Sequence, residues 1–264
     1  MDKKILLSFD VEEFDIPEEY GQNIDDNTKF FVSLLGLKKI IALLDKLQIK
    51  ATFFTTYNFA KQNKKIIRDI SKKHEISSHG FSHSNFTKND FRKSKIELEK
   101  IVEKKIKGFR MPRLRKFSNK DLFRAGYEYD SSINPTYLPG RYNNFKSKRT
   151  YFTSNNLMIF PMSVSPVFRF PLFWISFKNV PLVIYKLISS WTLSKDKYLN
   201  LYFHPWEFAD IENFKIPNYI KKPCGNTMLK RLESYLLWLK LKGEFITFSE
   251  FTSIIKSNFL ERKR

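Results

Sequence analysis

Short apolar runs and amphipathic stretches alternate about seven times along this chain, and the alternation restricts the fold more than any other feature. "KKILLSF" (3–9) runs straight into an acidic loop, as a buried strand does. Residues 29–48 carry Phe31, Leu34, Leu35 and Leu44 at helical spacing. "ATFFTT" (51–56) is β-branched and aromatic, hence a strand, and 58–73 reads as a helix. "HEISSH" (74–79), "GFRMP" (108–112), "YEYDSS" (127–132), "NLMIFPM" (156–162), "YLNLYFHP" (198–205) and "EFITF" (244–248) continue the strand series. Helices are expected over 90–107, near 119–125 and 180–194, over 226–242 and over 249–258. This predicts βα units on a parallel sheet, either closed as a barrel or open and doubly wound. No strong linker interrupts the series, so a single domain over 1–264 is expected. Residues 135–180 break the rhythm and should form an irregular excursion over one face.

Bulk properties narrow the function classes. Hydrophobic residues make up 42% and aromatics 16%, which argues against disorder. The formal net charge of +20 raises nucleic acid or an anionic membrane as a partner. The lysines are dispersed, however, and no helix-turn-helix, zinc-finger or RNP pattern is present, so no nucleic-acid partner is expected. A solvated lysine-rich surface is the plain reading. The single cysteine, Cys224, rules out an intrachain disulfide. The apolar run at the N-terminus meets Asp10 too early for a signal-peptide core or a membrane span, so the expected location is the cytoplasm. Residues 157–193 are aromatic-rich but broken by prolines and charges, which is not the pattern of a transmembrane helix. Two readings stand for Phe168, Phe170, Phe173, Trp174 and Phe177: an insertion packed on the barrel, or an edge resting on an anionic bilayer with Lys178 and Lys186, at the inner face of the membrane.

Three of the four histidines, His74, His79 and His83, lie within ten positions, and the fourth, His204, stands in "LYFHPWEF". His79 and His83 share one side of a helical turn at i,i+4, or sit in a tight loop, since Gly80 between them disfavours helix. "SFDVEEFD" supplies Asp10, Glu12, Glu13 and Asp15, and alternation along an extended segment puts Asp10 and Glu12 on one side. Two carboxylates there repel unless a cation or a shared proton relieves them. Two histidines and one carboxylate, with further positions left open, describe a catalytic metal site. Taken singly, each motif also fits a surface histidine pair or a solvated acidic loop. The argument for chemistry is that Asp10, Glu12, His79, His83, Arg110, Asp130 and His204 all fall at predicted strand ends, which converge on one face in parallel α/β folds.

"SFDVEEFD", "HEISSHGFSH", "GFRMPR", "YEYDSSINP" and "LYFHPWEF" come in an order that resembles the polysaccharide deacetylase family, the NodB-homology or carbohydrate esterase family 4 group, over about residues 5–208. The resemblance implies a distorted (β/α)7 barrel and metal-dependent removal of an acyl group, usually acetyl, from an amino sugar. It assigns Asp10 as catalytic base, His79 and His83 as metal ligands, Arg110 as partner of the base, Asp130 as the acid that orients the catalytic histidine, and His204 as general acid. Val11 stands where the family usually has a second aspartate, and by the Asp-x-Asp variant Glu12 becomes the carboxylate ligand. His74 has no role in that pattern, and Glu207 either supports the site or caps the next element. The implied cofactor is one divalent ion, zinc first, with cobalt, nickel, iron or manganese as alternatives. The implied substrate is an amino sugar of a surface polysaccharide or of its nucleotide- or lipid-linked precursor. Other C–N hydrolysis (deformylase, cyclic amidase) and a catalytically inactive carbohydrate- or membrane-binding protein are the rivals.

Overall fold

A computed structural model describes residues 2–84 and 86–261. In chain order its elements are β1 (Lys4–Val11), α1 (Asp26–Leu47), β2 (Thr52–Thr55), α2 (Tyr57–Gln62), α3 (Lys64–Lys73), β3 (Glu75–Ser78), α4 (Asn89–Val102), β4 (Gly108–Phe109), α5 (Asn119–Arg124) and β5 (Tyr129–Asp130). There follow β6 (Tyr137–Leu138), β7 (Tyr142–Asn143), β8 (Phe152–Ser154), β9 (Leu157–Ile159), α6 (Trp174–Asn179), α7 (Leu182–Asp196), β10 (Tyr198–Phe203), α8 (Asn218–Lys221), α9 (Gly225–Lys240), β11 (Glu244–Phe245) and α10 (Phe248–Glu261).

Seven strands run parallel in the order β10-β1-β2-β3-β4-β5-β9, which is the distorted (β/α)7 barrel. β8 adds an antiparallel edge on β9, and β11 pairs with the first two residues of β1. Between β9 and β10 the curled sheet is joined through Asn200 and Ser163. The Ser163 N–H donates to the Asn200 carbonyl (3.1 Å), and Asn200 Nδ2 donates to the carbonyls of Phe160 (3.0 Å) and Pro161 (3.1 Å). One backbone bond and the Asn200 side chain thus bridge a seam where β9 and β10 form no strand ladder.

Strand alternation sorts β1 into two faces. Ile5, Leu7, Phe9 and Val11 join the large cluster under the helices, while Leu6 joins an inner cluster with Phe54, Tyr129, Phe160, Phe248 and Phe251. Ser8, Asp10 and Glu12 share the inner parity with Leu6 and climb toward the C-terminal end of the strand. α10 supplies Phe248 and Phe251 to the inner cluster.

Most boundaries agree with the sequence expectations, and the exceptions have local causes. The helix expected over 58–73 is broken at Asn63, whose side chain donates to the Phe59 carbonyl (3.1 Å) and whose backbone leaves helical geometry. The helix expected to reach 107 stops at Val102, because Glu103 adopts a left-handed φ of 56° and caps it. The excursion at 135–180 is shorter than expected, since β9 within it is the sixth parallel strand. Phe173, Trp174 and Phe177 are buried, so this part of the aromatic stretch packs on the barrel, while Phe168 is exposed.

α1 crosses directly over the turn at Pro205–Phe208 that follows β10. A Cβ on Gly36 would fall 1.7 Å from the Pro205 carbonyl oxygen, so only glycine permits this approach. Gly36→Ala must push α1 away from the His204–Phe208 turn. The expected result is a loss of about 1–3 kcal/mol in urea denaturation, the usual range for overpacking; an unchanged midpoint would show that α1 does not brace this turn.

Candidate active site

Four strand ends deliver the site. β1 brings Asp10 and, just past its end, Glu12; β3 is followed by His79, β4 by Arg110 and β10 by His204. The His79–His83 segment is a tight loop: Gly80 has a left-handed φ of 83°, and the Gly80 and Phe81 carbonyls accept the N–H groups of Tyr57 and Asn58 (3.1 and 3.0 Å). The i,i+4 spacing therefore meets at one point through a loop tied to α2.

Glu12 Oε2 lies 2.9 Å from His79 Nε2 and 3.1 Å from His83 Nε2, and the ligand atoms of the three residues fall within 4.8 Å of one another. Each imidazole is held from behind. His79 Nδ1 donates to the Arg110 carbonyl (2.9 Å), and His83 Nδ1 donates to Asp15 Oδ1 (2.8 Å). Asp15 is itself fixed by Ser84 Oγ (2.5 Å) and Arg113 Nη2 (2.9 Å). Two imidazoles with Nδ1 engaged and Nε2 turned to a shared carboxylate are the donor set a divalent ion takes, so the residues present fit one.

Beside this cluster sits the fully buried Arg110. Its Nη1 donates to Asp10 Oδ1 (2.6 Å) and Ser8 Oγ (3.0 Å), its Nε to the Ser131 carbonyl (2.9 Å), and its Nη2 to Ser131 Oγ (3.0 Å). On the other side, His204 Nε2 faces Glu12 Oε1 at 3.9 Å. The His204 ring stacks on Trp206 (4.9 Å between centroids, 21°) and meets Trp174 edge-on at 5.1 Å.

One sequence assignment is corrected. The carboxylate beside His204 is Glu207, not Asp130. The turn at Pro205–Phe208 folds Glu207 back, so that its Oε1 accepts from the His204 N–H (2.7 Å) and lies 3.1 Å from His204 Nδ1. Glu207 Oε2 lies 3.5 Å from the buried Lys178 Nζ. Asp130 instead accepts a short hydrogen bond from Ser132 Oγ. Burial pushes its carboxyl up to about 7, against the pull of Ser132 and Arg110. Asp15 and Trp174, named in the sequence only as one acid of its loop and one aromatic of the 157–193 stretch, are site partners to which it gave no role. Nothing distinguishes Asp15 from the other acids of its loop until the His79–His83 loop closes over it. His74 packs its ring edge-on against Phe53, and its Nδ1 accepts from the Ala51 N–H (3.3 Å), which is a structural role.

Asp10, Glu12, Asp15, His79, His83 and His204 line a cleft of about 290 Å³, walled by Trp174, Tyr202, Tyr142 and Tyr219, with Arg113 and Arg141 both paired to Glu19. Burial alone would raise the Glu12 carboxyl, yet the neighbouring His83, His204 and His79 hold it at about 2. Burial opposes a charged His83, but Glu12 and Asp15 raise it to about 9. His204 is likewise raised despite burial, by Glu12 and Glu207.

These shifts give a pH signature in protein stripped of metal. A histidine raised from 6.5 to about 9 stabilises fully below its unfolded value and loses that contribution as pH climbs through 9. A glutamate lowered from 4.5 to about 2 stabilises above 4.5 and loses that contribution as pH falls toward 2. The melting temperature of chelator-treated protein should therefore fall between pH 6.5 and 9, and His83→Gln should flatten that limb. An identical limb in the variant would exclude His83 as its source.

Residues 2–129 match the family model described as polysaccharide deacetylase. No curated protein matches the chain in sequence. Among solved structures, a protein assigned as a polysaccharide deacetylase from Mycobacterium smegmatis superposes with a TM-score of 0.63 at 16% identity, over 98% of this chain and 92% of that one. A PuuE allantoinase gives 0.64 at 12% identity, over 95% and 89%. BA3943, a CE4 family pseudoenzyme from Bacillus anthracis, gives 0.51 at 13% identity, over 95% and 66%. At these identities the structural likenesses establish the fold. The chain thus carries the polysaccharide deacetylase sequence pattern over residues 2–129, on a fold shared almost end to end with solved structures of that class.

Proposed function

We propose that this protein is a metal-dependent hydrolase that removes an acyl group, acetyl in the first instance, from the nitrogen of an amino sugar. The observation that carries the reading is the cleft itself. The Glu12–His79–His83 donor set lies between an Arg110-held carboxylate, Asp10, and a Glu207-held imidazole, His204. A divalent ion held by Glu12, His79 and His83 would supply Lewis acidity toward the scissile carbonyl and the attacking water.

The chain's own groups perform the proton work. Asp10, aimed by Arg110, accepts a proton from the water as it attacks the carbonyl carbon. The amide C–N bond then breaks, and its nitrogen leaves only when protonated. His204 Nε2 faces the cleft and gives that proton, while Glu207 at Nδ1 keeps the ring oriented and stabilises its charged form. The products are a carboxylate and a free amine. Trp174 and Trp206 enclose His204, so competing water is kept from the proton donor. The expected place of work is the cytoplasm, on a nucleotide- or lipid-linked sugar. Because the same scaffold serves an allantoinase, hydrolysis of another C–N bond is the second reading.

Hydrolysis across a panel of N-acetyl and N-formyl amino sugars, their nucleotide- and lipid-linked forms, and allantoin decides the substrate class, followed as amine release for the sugars and as ring opening to the ureido carboxylate for allantoin. Ring opening of the cyclic amide alone would overturn the sugar reading, and turnover of nothing by metal-loaded protein would favour a non-catalytic binder. His79→Ala and His83→Ala should each lose the bound divalent ion by elemental analysis, and full occupancy in both would refute the centre. Asp10→Asn and His204→Ala should keep the ion and the fold while hydrolysis drops by roughly 10²–10⁴-fold. Near wild-type turnover in His204→Ala would remove it as the acid.

A further inference from the structure

Within the stretch 157–193 that the sequence offered to a membrane, Phe173, Trp174 and Phe177 are buried, but the helix α7 at its end is not. α7 turns Tyr185, Ser189, Thr192 and Leu193 inward. Its opposite side presents Val183 (70% exposed), Ile184 (48%), Leu187 (66%) and Trp191 (37%). Val183, Leu187 and Trp191 are spaced at i, i+4 and i+8, so they form one apolar stripe along a helix of about 22 Å. The stripe extends toward the end of α9, where Leu241 is 83% exposed. There Lys186 and Lys242 each place Nζ 5.8 Å from the centroid of the Trp238 ring.

Charge identifies what covers this face. The acid of α7, Asp196, is sequestered by an ion pair with Arg149, and Glu233 of α9 is paired with Lys46 (2.6 Å). With those acids paired, the charges that α7 and its C-cap add to this face are Lys186, Lys195 and Lys197, and Lys242 follows α9, on a chain of net charge +20. A second copy of the chain meeting this face head-on would set lysine against lysine. An anionic bilayer surface suits both features: the apolar stripe enters the headgroup boundary, and lysines on long stems reach the phosphates.

We propose that α7 lies in the plane of an anionic membrane, docking the protein through Val183, Ile184, Leu187 and Trp191 with Lys186 and Lys242 as electrostatic anchors. The place of α7 gives the docking a consequence. It begins three residues after Asn179 of α6. Lys178 and Asn179 donate to the carbonyls of Ile220 and Tyr219 (2.8 Å each), two residues that line the cleft. The stripe's N-terminal end is thereby tied to the cleft wall, which favours a lipid-linked amino sugar as substrate. That last step rests on the deacetylase reading; the docking does not.

Co-sedimentation with vesicles of phosphatidylcholine, with and without phosphatidylglycerol, tests the docking. The protein should pellet with the anionic vesicles at low salt, much less with the neutral ones, and should be released at high salt. The double variant Val183→Ser plus Leu187→Ser, whose sites are exposed and need not disturb folding, should bind roughly a hundredfold more weakly. Asp10→Asn should bind as wild type, which separates failure of the docking from failure of the catalytic reading. Absence of sedimentation at low salt, or undiminished binding by the double variant, would overturn the proposal. So would a dimer in analytical ultracentrifugation that the double variant abolishes while vesicles are ignored.

Discussion

The buried guanidinium of Arg110 is the interaction on which the site depends. It lies 4.0 Å from the centroid of the Phe54 ring and has no exposed surface, so its charge must be met inside the barrel. Ser8 and Asp10 on β1 and Ser131 after β5 meet it, which ties two separate stretches of chain to a cation carried by a third. Its own carbonyl fixes the His79 tautomer. Truncating one partner of such a buried pair costs about 3–5 kcal/mol, because the other charge is left stranded, whereas an isosteric amide at Asp10 keeps an acceptor oxygen for Nη1. Asp10 is held at the mouth of the barrel by this contact.

Around that cation the site divides into two electrostatic halves. Asp10, Glu12 and Asp15 collect on one side of a chain that is otherwise strongly basic, and His79, His83 and His204 surround Glu12. Each histidine is backed by an acceptor at Nδ1: a carbonyl, an aspartate and a glutamate in turn. The two histidines of the donor set differ in backing, and only His83 has a carboxylate there. That carboxylate, with Glu12, is what makes His83 the group with a large upward shift. His204, with Glu207 behind it and Lys178 behind Glu207, forms a separate chain of buried charges under two tryptophans.

Much of this was legible in advance because strand alternation and strand ends are local properties. Asp10 and Glu12 share parity with Leu6, and the residues following β1, β3, β4 and β10 had to meet on one face once the strands were parallel. The misassignment of Asp130 shows the limit. The resemblance assigned Asp130 to His204, and Glu207 was read only as supporting the site or capping the next element. The turn at Pro205–Phe208 decided the matter by returning Glu207 onto its own histidine, while Ser132 engaged Asp130 two residues away.

The sequence alone determined the βα alternation and the convergence of acid and imidazole at strand ends, because each follows from periodicity; for the His79–His83 segment it left a helical turn and a tight loop both open. Only the tertiary structure decided which carboxylate backs each imidazole, how Asn200 joins the sheet between β9 and β10, and that Trp174 is a wall of the cleft while Leu187 faces outward. Those outcomes depend on which surfaces meet across tens or hundreds of residues, and an apolar side chain reads the same in sequence whether it is to be covered or left bare.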